Sequence, residues 1–67
     1  MEVTLKFDYR NWMDKPWGVG ATWTNPRNGK VLSTESFGES ATIAATDAIQ
    51  HLMLAIACDN VEDLHND

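Results

Sequence analysis

Residues 39 to 58, ESATIAATDAIQHLMLAIAC, constrain the fold more than any other part of the chain, because their apolar positions recur at the period of a helix. At 100° per residue, Ala41, Ala44, Ala45, Ala48, Ile49, Leu52, Ala55 and Ile56 share one side, a stripe wide enough to lie on a sheet. Alanines at 41, 45 and 48 let the first half of this helix approach its support closely, and Leu52 and Ile56 fill the wider end. The helix is expected from about Glu39 to Cys58. Ser36-Phe37-Gly38-Glu39 has the spacing of a capping box, in which hydroxyl and carboxylate each take an orphan amide, and Ser40 is the competing cap.

A helix with one apolar face needs a partner layer, and the preceding residues supply strands. Val3, Leu5, Phe7 and Tyr9 alternate with Glu2, Thr4, Lys6, Asp8 and Arg10, the pattern of a strand with one side buried. Asn11–Pro16 reads as a loop, after which Trp17, Val19, Ala21 and Trp23 alternate with Gly18, Gly20, Thr22 and Thr24. Asn25–Lys30 is a hairpin connection, Pro26 presetting φ and Asn28-Gly29 supplying positive φ, and a third strand is expected at Val31–Glu35. The short links imply an α+β fold: a three-stranded antiparallel meander with one long C-terminal helix packed on one face, the opposite face being open. Residues 1–58 form the single β-β-β-α domain in this reading, and 59–67 an acidic polar tail, with Asp59 and Glu62 spaced as a second capping box.

Only 67 residues are available, so the core is small and contact with a partner would add stability. The edge strands could pair with a second copy, and a homodimer is expected. No apolar run is read as approaching the roughly 20 residues that cross a bilayer, and the N-terminus lacks a signal-peptide core, so a cytoplasmic protein with no membrane partner is expected. The lone Cys58 forms no internal disulfide and suits a reducing compartment.

Charge is unevenly distributed. The first thirty residues hold five cations and three carboxylates, a net +2, whereas the remainder holds seven carboxylates and neither Lys nor Arg, a net −7. Such a field draws in a basic partner and repels nucleic acid from the helix side.

Several side chains are candidates for contact. Ile43 and Leu54 point together away from the core stripe, with Asp47 and Gln50 nearby and Glu39 at the helix start, which together suggest a protein-binding surface. Trp12 and Met13 in the first loop are a candidate anchor, while Trp17 and Trp23 belong to the inward face. Lys6 and Arg10 on the open face, with Arg27 and Lys30 at the hairpin, are the alternative, a phosphate-contacting set. Gly18 and Gly20 on the outward face leave bare backbone that another chain, a base or a side chain could approach, or else answer a twist or packing requirement. Asp47, His51 and Cys58 project similarly, but His51 and Cys58 are separated by about 10.5 Å of axial rise, too far to ligate one ion. Asp47 and His51 read as an i,i+4 contact. There is no phosphate loop, CxxC or G-x-S-x-G motif. The chain is read as non-enzymatic, without cofactor or metal.

Ser36-x-x-Glu39-x-Ala41-x3-Ala45-x2-Ala48-Ile49, following three strands, is similar to the helix start of HicB-like antitoxins, over about residues 3 to 52. Asn28-Gly29-Lys30-Val31 with Ala44-Ala45-x2-Ala48-Ile49-x2-Leu52 also resembles the C-terminal part of a double-stranded RNA-binding domain, although Phe37, Gly38 and Glu39 stand where that family has lysines. The first resemblance implies an acidic domain that occludes a basic, nucleic-acid-acting protein. With the charge layout it leads to the expected function: a small acidic inhibitor or interaction module, of phage or mobile-element type.

Overall fold

A computed structural model describes the backbone of residues 2–65 and the side chains of residues 2–61. Three strands, β1 (Thr4–Tyr9), β2 (Trp17–Thr24) and β3 (Val31–Gly38), precede one helix, α1 (Ala41–His65). The strands form an antiparallel sheet in the order β1-β2-β3, with α1 packed on one face. Register runs unbroken from Thr4 opposite Thr22 to Tyr9 opposite Trp17, and from Trp17 opposite Gly38 to Thr24 opposite Val31.

The core follows from the two periodicities. Every second residue of β2, namely Val19, Ala21 and Trp23, meets every fourth residue of α1, namely Ala44, Ala48, Leu52 and Ile56, and all seven are buried. Val3, Leu5, Trp17, Leu32 and Ala45 close the margins. Alanine at 44 and 48 brings the helix close enough for Thr34 Oγ1 to donate to the Ala48 carbonyl at 2.7 Å.

Several expectations are corrected. The helix packs mainly on β2 and β3, so along the inner face of β1 Leu5 is half-buried at the core margin while Phe7 and Tyr9 remain 50% and 56% exposed, and Ile49, on the flank beside them, is also exposed. β3 continues to Gly38, which places Ser36 beneath the helix; the cap is Ser40, whose Oγ accepts the Ile43 amide at 3.1 Å. α1 begins at Ala41 and continues past Cys58 without a break, so Asp59 belongs to the packed unit and is no start of a second capping box. Residues 66 and 67 of the expected tail lie outside the described residues. Finally, within Ala41–Val61 of α1 the mean hydropathy reaches 1.4, so one helix is long and apolar enough to cross a membrane by length and composition.

The β2–β3 connection is tied by its own side chains. Asn25 Oδ1 accepts the Arg27 amide at 2.9 Å, Asn28 Oδ1 accepts the Lys30 amide at 2.8 Å, and the Asn25 amide donates to the Lys30 carbonyl at 2.8 Å. Among the described residues only Gly29 has positive φ, at 74°, so the expected contribution of Asn28 to left-handed backbone is not made. The two-residue link Glu39–Ser40 turns β3 sharply into α1; a Cβ on Gly38 would stand 3.0 Å from both the Ala44 amide nitrogen and Ile43 Cγ2.

Candidate functional site

Three surfaces carry the side chains that the sequence singles out, and they lie on different sides of the molecule. The outward ridge of α1 holds Ile43, Leu54 and Val61, exposed by 56%, 66% and 52%, with Gln50 exposed between them. Thr42, Ile43, Thr46, Asp47 and Gln50 line a shallow depression on this ridge. Glu39 is exposed just before the cap, so the ridge carries carboxylates beside its aliphatic residues. Period alone predicts this arrangement, since these positions oppose the Ala44–Ala48–Leu52–Ile56 stripe.

Trp12 and Met13 stand apart in the β1–β2 loop, exposed by 77% and 43%. The loop is closed by the Arg10 amide donating to the Pro16 carbonyl at 2.8 Å and the Met13 amide donating to the Arg10 carbonyl at 3.3 Å. At its base Tyr9 and Trp17 stack with ring centroids 4.9 Å apart and planes tilted by 54°.

On the open face the guanidinium of Arg10 lies 4.6 Å from the centre of the Phe37 ring, and that ring covers Gly18. A Cβ at position 18 would come within 3.0 Å of Phe37 Cε1 and 3.3 Å of Arg10 Nη2, which accounts for the glycine by packing. Arg10 Nε is enclosed without a hydrogen-bond partner, with Asp8 Oδ2 at 3.4 Å as its counter-charge. Lys6, Asp8, Arg10, Gly20, Glu35 and Phe37 line a depression there, so two carboxylates sit among the two cations. Arg27 and Lys30 are at the hairpin, and Lys30 Nζ binds Asp59 Oδ1 at 3.1 Å; the fold therefore does not gather the four cations into one phosphate-contacting patch.

Two polar clusters join the helix to the sheet in ways the sequence left open, although the Asp47–His51 contact within the second is the expected i,i+4 pair. Asn25 Nδ2 donates to Asp59 Oδ2 at 2.8 Å, and with Lys30 on the other oxygen this joins the hairpin to the helix. The Asn25 hydrogen bond and then the Lys30 ammonium hold the Asp59 carboxyl below its ordinary value. A sequence signal existed: Asp59 falls in the centre of the apolar stripe, and a carboxylate there requires a partner.

The second cluster places Ser36 Oγ 3.4 Å from His51 Nδ1, with His51 Nε2 3.9 Å from Asp47 Oδ1. This is the residue order of a hydrolytic triad. Ser36, however, is 4% exposed under the helix, and both separations exceed the roughly 2.6–3.2 Å of a working nucleophile–base pair. Its evident effect is to fasten the β3 flank of α1 to the sheet. Among the described residues no three His, Cys, Asp or Glu side chains converge as metal ligands, and Cys58 is an exposed free thiol.

No family model matches this chain, and neither a curated protein nor a solved structure matches it.

Proposed function

We propose that this chain is a small, acidic, non-enzymatic binding module that presents the outward ridge of α1 to a protein partner with a basic surface. One observation carries the reading: Ile43, Leu54 and Val61 stand more than half exposed along one ridge of α1, on the side that its own sheet leaves uncovered. Covering the exposed parts of Ile43 and Leu54 would gain roughly 1–2 kcal/mol each by removal from water. Glu39 and Asp47 flank them and would select a cationic rim on the partner.

The −7 charge of residues 31–67 supports a partner that itself handles nucleic acid, since such proteins expose the complementary charge. Occluding that surface is how an inhibitor of this kind would act, and the antitoxin resemblance implies the same relation. A second reading, nucleic-acid binding on the open sheet face, is favoured by the Arg10–Phe37 stack beside the bare backbone of Gly20.

The test compares capture from native extract by the wild-type chain and by Glu39→Lys/Asp47→Lys. The expected result is retention of a basic protein by the wild type, weakened in the variant and at high salt. Equal retention by both overturns the reading. Gel shifts with duplex RNA and single-stranded DNA, lost in Lys6→Ala/Arg10→Ala, would establish the second reading instead. Flotation with anionic vesicles would show that a lipid surface covers the helix.

A further inference from the structure

The strand β1 carries two surfaces that the described residues leave uncovered. Its outer edge has no neighbour in the order β1-β2-β3, and no proline or bulge interrupts it. Its inner face carries Leu5, Phe7 and Tyr9, of which the last two are half exposed although the same face of β2 is buried under α1. Beside them Phe7, Ala41, Ala45 and Ile49 line a groove between strand and helix. An uncovered aromatic face contiguous with an unpaired backbone edge calls for an occupant that supplies a strand and apolar side chains together.

We propose that the occupant is a second copy of this chain, paired β1 to β1 in antiparallel fashion about a twofold axis through Phe7. The sequence of β1 is self-complementary in that register. Phe7 opposes Phe7, Leu5 opposes Tyr9 of the second copy on the inner face, and Lys6 opposes Asp8 of the second copy on the open face. Placing the axis on Lys6 or on Asp8 sets like charges against each other, which is unfavourable in directly opposed positions. An axis between residues would set edge-facing amide and carbonyl groups of one strand against residues whose own groups point back to β2, so no ladder could form.

The remaining edge is a poorer candidate. β3 carries Glu35 as its one charge, so pairing with itself offers no opposite-charge pair to fix a register, and its inner face already lies beneath α1. Pairing through β1 gives a six-stranded sheet in the order β3-β2-β1-β1-β2-β3, both helices on one face. Two copies of Leu5, Phe7 and Tyr9 then floor the trough between the helices, with Ile49 and Met53 on its walls. This inference does not depend on the partner proposed for the outward ridge of α1, which remains free in the dimer.

Sedimentation equilibrium of the full chain tests it. The wild type is expected to dimerise; Lys6→Asp alone, which turns both cross-strand pairs into carboxylate pairs, is expected to weaken the dimer roughly tenfold, and Lys6→Asp/Asp8→Lys to restore it. Both positions are exposed, so the variants retain the fold, and circular dichroism checks this. Phe7→Cys in a Cys58→Ser background is expected to cross-link under mild oxidation, because opposed Cβ atoms lie about 4.5–5.5 Å apart. A monomeric wild type, a dimer indifferent to Lys6→Asp, a double variant no tighter than the single one, or no cross-link at position 7 would each overturn the proposal.

Discussion

Asn25 and Asp59, 34 positions apart in the chain, meet through a 2.8 Å hydrogen bond between two side chains that are both buried. Asn25 is doubly committed, its Oδ1 accepting the Arg27 amide while its Nδ2 holds the carboxylate. Through this pair the shape of the β2–β3 turn and the position of the helix on the sheet are coupled. Lys30 completes the arrangement from the other end of the same turn, at 3.1 Å.

The coupling has a defined pH dependence. Because the folded chain lowers the Asp59 pKa below its ordinary 3.8, ionised Asp59 is favoured by the fold. Its contribution is therefore complete above the ordinary value and fades as pH falls through 3.8 towards the lower folded one. Urea midpoints followed from neutral pH into acid should fall below about pH 4 in the wild type. Asp59→Asn should start lower, having lost its charge for Lys30, and show a flatter acid limb. An acid limb identical to that of the wild type would contradict the assignment.

The helix stripe makes a second prediction, in which neighbouring aliphatic residues behave differently. Leu52 is 1% exposed within the α1–β2 core, so Leu52→Ala should cost about 2–5 kcal/mol of unfolding free energy. Ile49, three residues earlier, is 37% exposed at the wall of the groove it shares with Phe7. Ile49→Ala measured in the same urea titration below the dimer concentration range should cost less than half as much.

Ile49 also marks the limit of what the sequence discloses. Alternation placed Val19, Ala21 and Trp23 correctly, and the helical period placed Ala44, Ala48, Leu52 and Ile56, because each depends only on a residue's own neighbours. The same alternation in β1 identifies an apolar face but says nothing about whether a helix reaches it, which depends on where α1 crosses the sheet. The outward positions of Ile43, Gln50 and Leu54 were legible for the reason the core was. The Arg10–Phe37 stack and the Asn25–Asp59 pair were not, since both join elements that only the sheet order and the helix return bring together. At the β3–α1 junction two serines offer the same local capping signal, and the choice of Ser40 is made by the strand pairing that claims Ser36.

Glycine positions separate backbone from side-chain constraints. A methyl at Gly38 meets the Ala44 amide nitrogen and Ile43 Cγ2 at 3.0 Å, and neither the helix nor a β-branched residue can yield easily. At Gly20 the nearest atom is the Thr34 carbonyl oxygen at 3.9 Å, an ordinary contact. Gly38→Ala should therefore lower the melting temperature, whereas Gly20→Ala should leave it unchanged or raise it by reducing the freedom of the unfolded chain, worth about 0.4–1 kcal/mol. Differential scanning calorimetry of the two variants gives the comparison directly.

The two apolar strips on α1 should be separable by mutation, because they lie on different flanks of one helix. Leu54 faces outward and Ile43 meets the sheet only at Gly38, the end of β3, and lysine is a good helix former, so Ile43→Lys/Leu54→Lys should change stability by less than about 1 kcal/mol per site. The same variant reverses the character of the ridge, and its affinity for a basic partner should fall by roughly thirtyfold or more, the loss typical of a central anchor. Self-association, which uses β1 and the Ile49–Met53 flank, should persist in it. Phe7→Lys should do the opposite, abolishing the dimer and sparing the partner. Surface plasmon resonance for the partner and sedimentation for the dimer read the two effects independently. Parallel loss of both in either variant would mean that one continuous surface serves both contacts, contrary to the placement of Ile43 and Phe7 on separate sides of the helix.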